Sequence, residues 1–195
     1  MISRYTLPEM AAIWDAENKF KIWRQIEVYA CEAMADLGLV PRGALKQIKE
    51  KARFDIARID EIEKKVKHDV IAFVSCLSEN IGAAARYLHL GLTSSDVVDT
   101  AFGAQLQQAA DLILGKLKEF RAVLKKKAFQ YKDTPMIGRS HGIHAEPVSF
   151  GVVLAGHLAE IKRGRARLSA ARSEIAVGKI AGAVGTYAHL SPEIE

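Results

Sequence analysis

The sequence predicts an all-α protein, with a small helical N-terminal domain followed by the first long helices of a central helix bundle. Apolar residues recur at three- and four-residue spacing through most of the 195 residues. Capping residues stand before several of these runs. Hydrophobic residues make up 49% and charged residues 26% of the chain, a composition typical of folded globular proteins. We expect two domains, residues 1–92 and residues 93–195, the second incomplete at its C-terminus.

Short helices separated by turn residues are predicted in the first domain. The run from Phe20 to Leu37 keeps one apolar face, as an amphipathic helix does. Asp15 precedes this run and is a suitable N-cap, because its carboxylate can accept from the free N–H groups of the first turn. The predicted helix starts lie at Pro8, Asp15, Pro41, Asp55 and Asp69, and the predicted ends lie at Gly38 and Gly82.

Two long helices are predicted in the second domain. Residues 93–96, Thr-Ser-Ser-Asp, match a capping box, in which the first hydroxyl and the fourth carboxylate cap each other's backbone N–H groups. Apolar positions from Phe102 to Leu124 then step by three or four residues. A helix from residue 94 to about residue 132 would be roughly 58 Å long. The second long helix is expected after Pro147.

The connecting segments differ from these helices in composition. The chain between the long helices, TPMIGRSHGIHAEP, and its last segment, VGKIAGAVGTYAHLSPEIE, are rich in Gly and turn residues, so we expect loops or short strands there. Arg165 and Arg172 lie on or near the apolar stripe of the second long helix, which indicates that polar partners outside this chain complete the bundle. The sequence Ser-Pro-Glu at 191–193 resembles a helix start. We therefore expect a fragment of a longer polypeptide.

Composition also restricts location and partners. No run reaches the roughly 18–20 apolar residues of a membrane span, and the N-terminus lacks an apolar signal-peptide core, so we expect a cytoplasmic protein without a membrane partner. Cys31 and Cys76 are expected to be buried thiols. The net charge of +5 comes from residues 101–195, with 14 basic against 8 acidic residues. Without interleaved aromatic residues, this surplus favours a solvated or acidic-partner face over nucleic-acid binding.

Histidines are the most informative candidates for proton transfer. Those at positions 68, 89, 141 and 144 stand near Gly, Thr, Ser or Asp, whereas His157 and His189 lack such neighbours and are interpreted as structural or surface residues. His141, His144 and Glu146 could ligate a metal, but the chain contains no HExxH helix motif. We expect neither a metal nor a cofactor.

Three segments could form an anion site. In residues 138–147, His141 on a Gly-flanked loop at a helix N-terminus could protonate a leaving group, although a tight turn explains the same pattern. Residues 67–69, Lys-His-Asp, place a cation, an imidazole and a carboxylate at a helix start. Residues 91–96 offer hydroxyl and N–H groups to an anion. Helix capping alone is the alternative for the last two segments.

Five blocks of sequence, in order along the whole chain, resemble adenylosuccinate lyases of the fumarase and aspartase superfamily. The blocks are SRYTLPEMAAIW, KHDVIAFV, HLGLTSSDVVDTA, GRSHGIHAEPVSFG and GKIAGAVGTY. The fourth block is often THxQxAxP in the superfamily, as in argininosuccinate lyase, whereas His144 and Glu146 match the adenylosuccinate lyase pattern. Ser140 replaces the more usual Thr and keeps the hydroxyl group.

The resemblance implies an activity and a set of site residues. The family releases fumarate from adenylosuccinate, leaving AMP, and from the succinylcarboxamide ribotide intermediate of purine synthesis. The matching positions imply that Arg4 and Tyr5 touch the nucleotide, that Lys67, His68 and Asp69 line the phosphate side, and that Thr93 and Ser94 hold a succinyl carboxylate. His141 matches the general acid, and His68 is expected to orient the substrate and tune His141. His89 is a possible further contributor.

The resemblance also implies what this chain does not contain. The family's base is a serine in the pattern SSxMPxKxNP, which does not occur in residues 1–195. Family members are homotetramers in which three subunits build each active site, so we expect this chain to be inactive alone and prone to self-association. Two alternatives are another fumarate-releasing lyase, such as argininosuccinate lyase, and a basic helical interaction module.

Overall fold

The computed structural model describes residues 2–195 and is predominantly helical, which confirms the predicted fold class. Seven α-helices and two strands occur in this range: α1 Pro8–Ile13, α2 Ala16–Asp36, α3 Arg42–Lys51, α4 Ile56–Val66, α5 Asp69–Ile81, α6 Ser94–Gln130, β1 Pro135–Ser140, β2 Ile143–Ser149 and α7 Phe150–Glu174. Short 3-10 helices lie at Ser3–Tyr5, Gly82–Tyr87 and Pro192–Ile194. None of the described helices is long and apolar enough to cross a membrane.

The chain divides into two compact units. The first contains the residues up to Leu106 together with Ala176–Glu195, and the second contains Gln107–Ile175. Helix α6 contributes residues to both units. The division follows packing within this chain, and the domain boundary predicted between residues 92 and 93 stays a prediction.

An aromatic cluster forms the centre of the first unit. The rings of Phe20 and Phe73 stack with centroids 5.4 Å apart, and Trp23 packs edge-on against both rings. All three side chains are buried. Because Phe20 and Trp23 belong to α2 and Phe73 belongs to α5, this cluster joins the two helices through apolar burial and ring contacts.

Local capping follows the sequence prediction at most helix ends. Asp15 accepts a hydrogen bond from Asn18 N at 2.7 Å, and Asp55 accepts one from Arg58 N at 2.8 Å, which confirms both N-caps. Pro41 lies one residue before α3 rather than at its first position.

The ends of α5 show one agreement and one shift. The helix ends before Gly82, whose φ of +77° suits glycine. At the other end Asp69 is the first helical residue, and His68 is the N-cap.

The second unit contains the rest of α6, a β-hairpin and α7. Strands β1 and β2 pair antiparallel, with Ser140 opposite Ile143. Gly151 donates its N–H to Tyr131 O at 2.9 Å, and the rings of Tyr131 and Phe150 lie 5.4 Å apart, so the start of α7 is held against the end of α6. Farther along, Arg172 of α7 donates to Asp111 of α6 at 2.8 Å.

Large apolar side chains remain exposed on both helices of the second unit. Among the described residues of α7, Gly151 is the buried one. Phe120, Val123 and Phe129 of α6 and Val152 of α7 are between 49% and 67% exposed. A groove of about 330 Å³ between α6 and α7 is lined by Ala128, Phe129, Val152 and Leu158, among others. Both helices therefore leave apolar surface uncovered within this chain.

Candidate active site

His68 contacts the start of α6 through its imidazole. Its Nδ1 accepts a hydrogen bond from Ile71 N at 3.4 Å, which caps α5. Its Nε2 lies 3.4 Å from Ser94 Oγ. A neutral ring that accepts at Nδ1 carries its hydrogen on Nε2. A doubly protonated ring carries hydrogens on both nitrogens, and its Nδ1 then faces Asp69 Oδ1 at 3.5 Å. In either state His68 can donate from Nε2 to Ser94.

The hydroxyl of Ser94 is therefore oriented by a donor. Because Ser94 Oγ accepts from His68, its own hydrogen is free for an acceptor such as a carboxylate. Ser94 is the first residue of α6, a helix of 37 residues, and Thr93 immediately precedes it. The N–H groups and partial positive charge of a helix N-terminus favour an anion at this place.

Asp96 ties this helix start to the last segment of the chain. Its fully buried carboxylate accepts from Thr93 N at 2.9 Å, which is the return half of the predicted capping box. It also accepts from Ala181 N at 3.1 Å and Gly182 N at 3.2 Å, and it pairs with Lys179 Nζ at 2.7 Å. Burial raises the pKa of Asp96, but the hydrogen bonds from Lys179, Thr93 and Ala181 lower it more, and the pKa lies below its usual range.

Lys179 is a residue that the sequence analysis did not single out. Besides Asp96, its ammonium donates to Ser95 Oγ at 2.9 Å and to Gly182 O at 2.8 Å. The block GKIAGAVGTY contributes to the family resemblance, but a single lysine after Gly178 carries no signal for a partner 84 residues away in sequence. The structure shows that this block holds the start of α6.

Glu27 was also missed, and here the sequence does contain a signal. This residue lies on α2 between Trp23 and Cys31, four residues from each, on the face that the helix buries. A carboxylate there is unusual, since a buried charge requires a partner. That partner is His89, whose Nδ1 lies 2.6 Å from Glu27 Oε1.

Arg4 and Tyr5 lie in the first 3-10 helix and contact each other. The guanidinium of Arg4 lies 4.8 Å from the centre of the Tyr5 ring, and both side chains are exposed. Within residues 2–195, no hydrogen bond or ion pair joins either of them to Lys67, His68 or Asp69. Lys67 adopts a left-handed conformation, with φ of +57°, at the end of α4, and Asp69 Oδ1 accepts from Val70 N.

His141 occupies a different setting from the one predicted. It forms, with Gly142, the two-residue turn of the β-hairpin, where φ is +53° and +76° respectively, as a type I′ turn requires. The expectation that His141 lies on a loop at a helix N-terminus is therefore wrong, because all of β2 separates it from α7, which begins at Phe150. The alternative prediction of a tight turn is confirmed. The cause is pairing of residues 135–140 with 143–149.

The side chains around His141 are exposed. His144 on β2 lies opposite Arg139 on β1, and both it and Glu146 face solvent. Across residues 2–195 no group of three or more His, Cys, Asp or Glu side chains is arranged to hold a metal ion. The candidate site residues thus fall into two groups, with His68, Thr93 and Ser94 in the first unit and His141 in the second.

Comparison with known proteins adds independent information. A family model described as lyase matches residues 3–195. Adenylosuccinate lyases from Synechocystis sp. and Bacillus subtilis are 53% and 50% identical over 195 residues, which is all of this chain but 45% of each relative. The chain therefore spans less than half the length of these relatives.

Solved structures show the same architecture. A fumarate lyase from Mesorhizobium sp. BNC1 superposes with a TM-score of 0.89 at 31% identity, over 95% of this chain and 45% of that one. A 3-carboxy-cis,cis-muconate lactonizing enzyme from Pseudomonas putida superposes with a TM-score of 0.89 at 33% identity, over 96% of this chain and 44% of that one.

Proposed function

Because the chain belongs to the lyase family that its residues 3–195 match, we propose that it is the N-terminal part of an adenylosuccinate lyase. The enzyme would release fumarate from adenylosuccinate, leaving AMP, and from the succinylcarboxamide ribotide intermediate. The observation that carries this proposal is the contact of His68 Nε2 with Ser94 Oγ at the start of α6. It aims a hydroxyl donor at the position where an anion is favoured.

The reaction requires stabilisation of negative charge on the succinyl group. A base removes a proton from the carbon beside a carboxylate, and the electron pair left behind forms the new carbon–carbon double bond as the carbon–nitrogen bond breaks. Charge builds on the carboxylate before that bond breaks, so fixed donors aimed at it lower the barrier. Thr93 and Ser94 are suited to this role. The family's serine base belongs to the pattern SSxMPxKxNP, which does not occur in residues 1–195.

The departing nitrogen needs a proton when the carbon–nitrogen bond breaks. We assign this proton to His141, which is exposed at the tip of the hairpin and can approach a substrate. His68 would orient the substrate and tune His141 rather than transfer the proton. Arg4 and Tyr5 would touch the nucleotide, and the ring of Tyr5 is exposed. Lys67, His68 and Asp69 would line the phosphate side.

Assembly into a homotetramer is part of the same proposal. The exposed apolar residues on α6 and α7, Phe120, Val123, Phe129 and Val152, support it, because such faces are stabilised by covering them with further helices. A cytoplasmic location completes the proposal and is tested by cell fractionation.

The test is an assay of fumarate release from adenylosuccinate, with this 195-residue chain and the complete product of its reading frame measured side by side. We expect activity in the complete protein alone. Activity in the short chain would overturn the assignment of a base outside it. Release of fumarate from argininosuccinate instead would identify a different lyase, and salt-dependent nucleic-acid binding without lyase activity would support the basic interaction module.

The acid assignment has its own test in the complete protein. His141→Gln is expected to lower kcat by about a hundredfold or more while KM changes little, because general acid catalysis acts on the transition state. His157→Gln is the matched control, since His157 lies on α7 and pairs with Glu160 on the surface. Equal kcat in both variants would exclude His141 as the acid.

A further inference from the structure

The buried carboxylate of Glu27 contacts both the backbone and the ring of His89. Glu27 on α2 is fully buried, with 0% of its surface exposed. Its Oε2 accepts from the backbone N–H of His89 at 2.9 Å, and its Oε1 lies 2.6 Å from His89 Nδ1. These two residues are 62 positions apart in the sequence, so the contact is tertiary.

The pair determines which ring nitrogen of His89 carries hydrogen. An ionised carboxylate only accepts hydrogen bonds, so Nδ1 must be the donor across the 2.6 Å contact. Nε2 is then left as the ring atom available for other chemistry. A carboxylate that fixes the tautomer and direction of an imidazole in this way is a common device for preparing a histidine to act.

The backbone at His89 is also constrained. Its φ of +56° lies in the left-handed region, which residues other than glycine seldom adopt. Gly91 follows with φ of +76°, and its backbone is so close to the chain at 189–190 that an added Cβ would lie 2.6 Å from His189 O. The turn therefore has little freedom, and it leads directly into Thr93 and Ser94.

We propose that Glu27 is a positioning residue for the lyase reaction. It keeps His89 in the Nδ1-protonated form and holds the turn of residues 89–92, which sets the place of Thr93 and Ser94 at the start of α6. This inference rests on the proposed function. It extends the site to a residue on α2 that touches neither the substrate-binding serine nor the general acid in the described contacts.

Glu27→Gln in the complete protein separates positioning from simple packing. The amide keeps the volume of the side chain, and its oxygen can still accept from the backbone N–H of His89. Its NH₂ group can only donate to Nδ1, which moves the ring hydrogen to Nε2. We expect kcat for fumarate release to fall by about tenfold to a hundredfold, with a smaller change in KM, since misplacement of reacting groups acts mainly on the transition state.

Gln105→Met is the matched control. Gln105 is 7% exposed, lies in the same unit and donates from Nε2 to Ile13 O at 2.8 Å. Its replacement also removes a buried hydrogen bond, so it should lower thermal stability without changing kcat at 25 °C. If Glu27→Gln behaves in the same way, Glu27 is structural and the proposal is wrong.

A double-mutant cycle tests whether Glu27 acts through His89. Asn tolerates positive φ, so His89→Asn removes the ring with little backbone strain. We expect Glu27→Gln to lower kcat several-fold less in the His89→Asn background than in the wild type. Full additivity of the two effects would contradict action through the ring. If Glu27→Gln does not fold, Glu27→Asp should show a partial fall in kcat, and an unchanged kcat would overturn the proposal.

The tautomer has a readout that does not depend on activity. In protein labelled with ¹⁵N-histidine, the ring signals of His89, assigned by their loss in His89→Asn, should report hydrogen on Nδ1 in the wild type and on Nε2 in Glu27→Gln. Unchanged signals would refute the positioning role. A complete protein that shows the expected signals but releases no fumarate would instead refute the proposed function.

Discussion

Asp96→Asn tests whether one buried carboxylate holds the start of α6 to the last segment of the chain. In the wild type this carboxylate accepts from Thr93 N, Ala181 N and Gly182 N and pairs with Lys179 Nζ. Asparagine has nearly the same shape but no charge, and one of its two terminal atoms is a donor. That donor must face groups that are themselves donors, so buried N–H groups lose their partner.

The expected decrease in the free energy of unfolding follows from the burial of the ion pair between Asp96 and Lys179. Removing one member of a buried ion pair costs about 3–5 kcal/mol, mostly because the other charge is left without compensation. Asp96 is completely buried, whereas the side chain of Lys179 keeps 35% of its surface exposed. Water can therefore partly solvate Lys179 in the variant. We expect a loss of stability at the lower end of that range, about 3 kcal/mol.

Equilibrium unfolding of the 195-residue chain in urea, followed by tryptophan fluorescence, measures this loss. Trp14 and Trp23 both lie in the first unit, which also contains Asp96. With a urea dependence of about 2 kcal/mol per molar, the midpoint should fall by about 1.5 M. Asp111→Asn is the control, because Asp111 pairs with Arg172 on the surface of the second unit. A shift below about 0.5 M for Asp96→Asn would refute the reasoning.

The stability difference between the wild type and Asp96→Asn is expected to depend on pH. Because the pKa of Asp96 is lower in the folded protein than its ordinary value of 3.8, the unfolded chain binds the proton more readily. The stabilisation is therefore present above pH 3.8 and is lost as pH falls through the folded-state pKa. The difference in midpoint between wild type and Asp96→Asn should shrink as pH is lowered from 5 toward 3. A difference that stays constant would contradict an ionised Asp96.

The remaining predictions concern packing and reactivity. Gly151→Ala should lower the melting temperature measured by circular dichroism, because an added Cβ would lie 2.6 Å from the Cα of Lys132, whereas Gly156→Ala on the same helix meets nothing within 4 Å and should stabilise by about 0.5–1 kcal/mol. The reverse order would show that α7 does not pack there as described. Burial, followed by Glu27 and Glu32, raises the pKa of Cys31 to about 12, so at pH 8 this thiol should react with a disulfide reagent only after unfolding. Rapid labelling of the native chain at Cys31 would be inconsistent with its burial.

The sequence by itself determined the features that depend on neighbours along the chain. The N-caps at Asp15 and Asp55 were predictable because a cap involves a side chain and an N–H group three residues away. The start of α6 at Ser94 followed from the capping box and from the spacing of its apolar residues. Family motifs likewise singled out Thr93 and Ser94 as candidates for holding an anion, because motif patterns need no coordinates, and that role stays a prediction.

Only the tertiary structure decided which distant groups meet. Glu27 and His89 are joined across 62 residues, and Asp96 and Ala181 across 85, and no local pattern encodes such contacts. The turn at His141 was also decided by pairing, since residues 135–149 form a hairpin only when their two halves bond to each other. Local energies select helices and caps, whereas the burial of a charge requires partners that the folded chain alone brings together.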